Sequence, residues 1–116
     1  MPKVLIVDDE TRIVRFLELK LKVSGYDVIS ATSGERALDL ARSEKPDILL
    51  LDIILPGIDG LEVLQEIRKF SQMPVIVFSA RAGYAERTMK LGANDYIAKP
   101  FSPDELIAKV KALLPP

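Results

Sequence analysis

The run Lys3-Val4-Leu5-Ile6-Val7-Asp8-Asp9-Glu10 constrains this chain most. Four consecutive apolar residues lead straight into three carboxylates, with no polar alternation among them. The run is too short for an independent helix and reads as a strand buried on both faces, as at the centre of a parallel sheet. Such a strand delivers its acids to one edge of the sheet, where their charge is costly unless a cation or a cationic side chain receives it. Two more runs repeat the pattern: Ile48-Leu49-Leu50-Leu51 ends in Asp52, and Val75-Ile76-Val77-Phe78 ends in Ser79.

Helical periodicity fills the intervals. Thr11 to Val23 places Ile13, Phe16, Leu17 and Leu21 at helical spacing, with Arg12, Arg15, Glu18, Lys20 and Lys22 mostly opposite, and Gly25 ends it. Val28 to Ala31 reads as a peripheral strand. Thr32 and Glu35 are spaced as a capping box for a helix that puts Ala37, Leu38 and Ala41 on one face and stops at Pro46. Asp59 and Glu62 repeat that spacing before a helix through Leu61, Leu64 and Ile67, beside a loop marked by Pro56, Gly57 and Gly60. Ala80 to Gly83 is loop, Tyr84 to Leu91 a short helix, and Asp95 to Ala98 a strand ending at Lys99-Pro100. Ser102-Pro103-Asp104-Glu105 opens a last helix with apolar Leu106, Ile107, Val110, Leu113 and Leu114. The charges Lys109 and Lys111 read as its solvated face.

The 116 residues, 48% of them hydrophobic, suffice for one core and one domain, residues 1–116. A net charge of -1 gives no general pull toward nucleic acid or an anionic membrane. With no Cys, disulfides and thiolate metal sites are excluded, which fits a reducing, cytoplasmic setting. With no His, the usual triads and zinc sites are excluded as well. No signal peptide or transmembrane run is visible.

Five alternating strand and helix units predict an α/β fold: a doubly wound, five-stranded parallel sheet with helices on both faces. In the order 2-1-3-4-5, the crevice at the switch point lies between the first and third strands, where Asp8, Asp9 and Asp52 end. Three carboxylates there repel one another, and a hard cation such as Mg²⁺ relieves this through oxygen ligands and waters. A carboxylate beside Mg²⁺ is a candidate nucleophile toward a phosphoryl group. Lys99, the Ser79 hydroxyl and loop amides can meet the charge on that group.

These residues resemble those of a bacterial two-component response-regulator receiver domain over essentially the whole chain. The markers are Val-Asp-Asp-Glu at 7–10, Leu-Asp-Ile-Ile-Leu-Pro-Gly-Ile-Asp-Gly at 51–60, Ser-Ala at 79–80 and Lys-Pro-Phe at 99–101. The resemblance implies a flavodoxin-like receiver fold and a phosphorylation-activated switch. Asp52 would accept a phosphoryl group from a sensor histidine kinase. Asp8, Asp9, Asp52 and the Ile54 carbonyl would serve Mg²⁺, Lys99 would pair with the acids and then the phosphate, and Ser79 would bond the phosphate. It further implies a cis bond at Lys99-Pro100, and a switch in which Tyr96 turns inward with Ser79. Such a domain promotes only its own phosphorylation and dephosphorylation, and contacts neither nucleic acid nor membrane directly.

Residues 92–103 look like the OmpR class, which dimerises through its fourth helix, fifth strand and fifth helix. The chain departs from that class near Ala85, in its short loop after Ser79 and in Asn94, where Asp is usual, so part of the cross-dimer charge pairing is missing. Asp95 and Lys109 remain as a candidate pair. Ile54 is apolar where many relatives carry a polar or larger side chain, and is expected to hinder water and prolong the phosphorylated state. Three rivals stand beside this reading. A receiver-like module that is never phosphorylated is opposed by the intact acid set. A small Mg²⁺-dependent phosphatase needs an acid where Ile54 stands, and a cap domain. A flavin carrier needs a phosphate loop where the acids lie. Pro115-Pro116 ends either a stand-alone receiver or the stretch before an output domain.

Overall fold

A computed structural model describes residues 1–80 and 83–115. The elements alternate as β1 (Lys3–Val7), α1 (Thr11–Val23), β2 (Asp27–Ala31), α2 (Gly34–Glu44), β3 (Ile48–Asp52), α3 (Gly60–Arg68), β4 (Val75–Ser79), α4 (Ala85–Lys90), β5 (Asp95–Ala98) and α5 (Pro103–Leu113). All pairings are parallel and the strand order is β2-β1-β3-β4-β5, the doubly wound sheet expected of the three apolar runs. Arg81, Ala82 and Pro116 lie outside the described residues, so the loop read at 80–83 and the terminal Pro-Pro are described only in part.

Strand periodicity sorts the core into two layers. Leu5, Val7, Leu49, Leu51, Val75 and Val77 point to the face covered by Ala37 and Ala41 of α2 and by Val63, Leu64 and Ile67 of α3. Val4, Ile6, Ile48, Leu50, Ile76, Phe78 and Ile97 point to the other face, against Val14, Leu17 and Leu21 of α1 and Leu106 and Val110 of α5. The three inner strands are buried on both faces, which is why they read as unbroken apolar runs.

Two local expectations are corrected, and a third, Ser102 as the cap of α5, holds in position only. The buried stripe of α1 is Val14, Leu17 and Leu21, while Phe16 is 47% exposed. Its spacing of three and four keeps the stripe on the sheet and leaves Phe16 on the shoulder. The cap of α2 is Ser33, not Thr32: Ser33 is extended and its hydroxyl accepts from the Arg36 amide at 3.2 Å. Gly34, the first helical residue, packs so close to Ile58 that a Cβ would stand 2.5 Å from it. Ser102 occupies the cap of α5 without a side-chain bond, so that start rests on Pro103 and the first-turn acids Asp104 and Glu105. At α3 the Asp59 carboxylate does accept from the Glu62 amide, at 2.9 Å.

Candidate functional site

Register places the chemistry. Val7 pairs with Leu51, so Asp8 and Asp52 emerge side by side from the adjacent strands β1 and β3. Asp52 pairs with Phe78 and Ser79 with Ala98, which carries Ser79 and Lys99 to the same rim. Gly60 then locks the end of β3. Its amide donates to the Ile53 carbonyl at 2.7 Å, and a Cβ there would collide with the Asp52 carbonyl oxygen. Only glycine lets α3 begin so close to the Asp52 backbone.

Asp8 is fully buried and Asp52 is 4% exposed, while Asp9 faces solvent. Lys99 Nζ donates to Asp8 Oδ2 at 2.8 Å and to Asp52 Oδ2 at 3.1 Å, and lies 5.0 Å from the centre of the Phe78 ring. The remaining oxygens are held by backbone: Asp8 Oδ1 accepts from the Glu10 amide at 2.9 Å and Asp52 Oδ1 from the Ile54 amide at 3.2 Å. Burial raises the Asp52 pKa, opposed by the Lys99 charge and the Ile54 amide and reinforced by Asp8. Burial also draws the Lys99 pKa down, but its bond to Asp8 and the charge of Asp52 outweigh this and leave it raised. Lys99 is therefore an ammonium at neutral pH.

One lysine does not balance three acids. One carboxylate oxygen from each of Asp8, Asp9 and Asp52 falls within a span of 4.8 Å. Oxygen donors alone, two buried and one open to water, suit a hard cation that keeps part of its hydration, as Mg²⁺ does. The donor set therefore fits the expected ion.

The other expected residues fall around this centre. Ser79 is buried at the end of β4, and Tyr96 is half-buried on β5 against the layer shared with α2 and α3. Ile54 is 45% exposed and lines a cavity of ≈ 160 Å³ with Ile53, Leu55, Asp59, Leu61 and Tyr84. The Lys99–Pro100 peptide is cis. Asp95 and Lys109 pair within the chain, at 2.9 Å. Two features have no counterpart in the sequence reading. Glu10 Oε1 lies 3.8 Å from Lys99 Nζ. On the rim opposite, Arg68 donates to the Gly92 carbonyl at 3.0 and 2.8 Å, the Ser71 carbonyl at 3.2 Å and Asn94 Oδ1 at 3.1 Å. The departure at Asn94 is the only signal in the sequence that touches this clamp.

A family model described as a response regulator receiver domain matches residues 4–111. A probable transcriptional regulator, ycf27 of Guillardia theta, is 50% identical over 114 residues, which are 97% of this chain and 45% of that protein. The chain thus spans less than half the length of that relative. The receiver domain of the Francisella response regulator 1452 superposes with a TM-score of 0.93 at 37% identity, over 97% of this chain and 96% of that one. Response regulator TrrA of Thermotoga maritima, in complex with Mg²⁺-BeF, superposes at 0.91 with 41% identity, over 98% of this chain and all of that one, 100%.

Proposed function

Because the chain belongs to the response-regulator receiver family, the regulatory domains of two-component signalling, we propose that Asp52 is its phosphoacceptor, charged by a sensor histidine kinase in a Mg²⁺-dependent reaction. The observation that carries this reading is Lys99 joined to both Asp8 and Asp52, beside a third acid close enough to share an ion. The Asp52 carboxylate attacks phosphorus, the donor's bond to phosphorus breaks, and an acyl phosphate forms on the side chain. Asp8, Asp9, Asp52 and the Ile54 carbonyl would hold Mg²⁺, which when bound offsets the acids and the charge on the transferring oxygens. Lys99 passes from the Asp52 carboxylate to the phosphoryl oxygens, keeping Asp8 as its fixed partner. The Ser79 hydroxyl donates to another of those oxygens.

The signal is a population shift between two arrangements of one fold, with Tyr96 turning inward as Ser79 engages the phosphate. Its output surface is the α4, β5 and α5 face, where phosphorylation favours a homodimer. Lys109 already holds Asp95 within the chain, so a cross-dimer use of that pair must first break it. Residues 1–116 work as one receiver unit that promotes only its own phosphorylation and dephosphorylation. It acts in the cytoplasm without contacting nucleic acid or membrane; among the described residues no helix is long and apolar enough to cross a membrane.

The test is intact mass after incubation with phosphoramidate or acetyl phosphate, with and without Mg²⁺, on the wild type and Asp52→Ala. A phosphoryl-mass gain that requires both Mg²⁺ and Asp52 is expected. No gain by a folded wild type would overturn the reading in favour of a receiver-like module that is never phosphorylated.

A further inference from the structure

Glu10 stands where helices usually carry Ser, Thr, Asp or Asn. It is the N-cap of α1, yet its side chain makes no cap hydrogen bond. Its amide is fixed by Asp8 Oδ1 at 2.9 Å, and its carboxylate reaches toward Lys99 Nζ, 3.8 Å away. The Glu10 side chain is 62% exposed, whereas those of Asp8, Asp52 and Lys99 are nearly or fully enclosed. Glu10 is therefore the outermost carboxylate on this lysine. A donor that reaches Asp52 must bring its phosphoryl oxygens to the same ammonium.

We infer that Glu10 determines donor specificity at this site: its carboxylate contests Lys99 with the incoming phosphoryl oxygens and selects against small donors of high negative charge. The inference rests on the phosphoacceptor role proposed for Asp52. With a divalent cation bound, Lys99 and the ion would offset Asp8, Asp9 and Asp52, and the charge of Glu10 would leave the mouth of the site net negative. A like charge within a few ångströms of the approach slows an anion in proportion to the charge it carries. Acetyl phosphate is a dianion near neutral pH. Phosphoramidate, protonated on nitrogen, is a monoanion. Both transfer the same group to Asp52: the P–O bond breaks and acetate leaves in one case, the P–N bond breaks and ammonia leaves in the other.

The experiment measures the second-order rate of phosphoryl-mass gain from each donor at saturating Mg²⁺. It compares wild type, Glu10→Gln, Glu10→Asp and Glu18→Gln, which removes the same charge from a distant turn of α1. In Glu10→Gln the acetyl phosphate rate is expected to rise roughly threefold or more and the phosphoramidate rate to rise less, with both gains shrinking at about 0.5 M salt. Glu10→Asp should keep the wild-type preference between donors, and Glu18→Gln should change neither rate. Equal changes for both donors, no change, or the same change in Glu18→Gln would overturn the inference and leave the phosphoacceptor role standing. No mass gain by the wild type from either donor would instead overturn the phosphoacceptor role, and this inference with it.

Discussion

At Asp52, burial and ion pairing pull in opposite directions and burial prevails, so the native state holds that proton more tightly than the unfolded chain does. The consequence for stability has a definite sign. Below the ordinary carboxylate range Asp52 is protonated in both states and contributes nothing; as pH rises through that range and past the raised native value, ionised Asp52 destabilises the fold. Asp52→Asn is therefore expected to unfold at higher urea than wild type at pH 7 without Mg²⁺. The gap should close toward pH 3, and a constant gap at all pH would show that the carboxylate charge is not its cause. Beside it, Ile54 gives its amide to Asp52 and its half-exposed side chain to the mouth of the site. An apolar group there can neither orient nor activate water. Ile54→Asn should shorten the phosphorylated lifetime severalfold, read as decay of phosphoryl mass; an unchanged lifetime would remove the side chain from that step.

The elements differ in how plainly the sequence announces them, and the reason is physical. Val4–Val7, Ile48–Leu51 and Val75–Phe78 are buried on both faces, so every residue reports the same environment and each run reads as a strand at once. Helix α1 has several apolar residues more than its core stripe needs, and periodicity alone does not separate Phe16 from Val14; packing against the sheet does. At the start of α2 the cap is Ser33 although the spacing of Thr32 and Glu35 suggests Thr32, and the close approach of Gly34 to Ile58 is a tertiary contact that local spacing does not encode. Arg68 is the same lesson at larger range. Three of its four hydrogen bonds tie the end of α3 to the turn between α4 and β5 and the fourth goes to Ser71, with no carboxylate among them, and burial lowers its pKa. Asn94 Oδ1 also accepts from the Val75 amide at 2.9 Å, so one amide oxygen joins the start of β4 to the end of α3. Arg68→Met strands the Gly92 and Ser71 carbonyls and is expected to destabilise by about 1–3 kcal/mol in urea unfolding. Phosphoryl uptake should survive, because the clamp lies on the rim away from Asp52; loss of uptake in a folded variant would make it part of the switch.

Over the whole molecule, one choice of strand order turns residues scattered from 8 to 99 into a single site. That much was legible, because a polar residue closing each inner strand must reach the same rim once the sheet is parallel. The pairing within the site was less so: Lys99 bridging Asp8 and Asp52, and Glu10 leaning toward it, depend on side-chain reach that spacing does not encode. The excess of acid also couples the site to the stability of the entire fold. An ion bound only by the native state stabilises it by mass action, about 2.7 kcal/mol at a hundredfold excess over Kd. Asp8 is a poor probe of this coupling, since it is fully buried and holds both Lys99 and the Glu10 amide. Asp9 is the informative one: it shares the 4.8 Å cluster yet faces solvent. Asp9→Ala should unfold within about 0.5 kcal/mol of wild type without Mg²⁺, as an exposed substitution does. Millimolar Mg²⁺ is expected to raise the urea midpoint of the wild type, and Asp9→Ala should lose most of that rise. If Asp9→Ala responds to Mg²⁺ as the wild type does, Asp9 takes no part in holding the ion, and any site lies with the other acids or elsewhere on the chain.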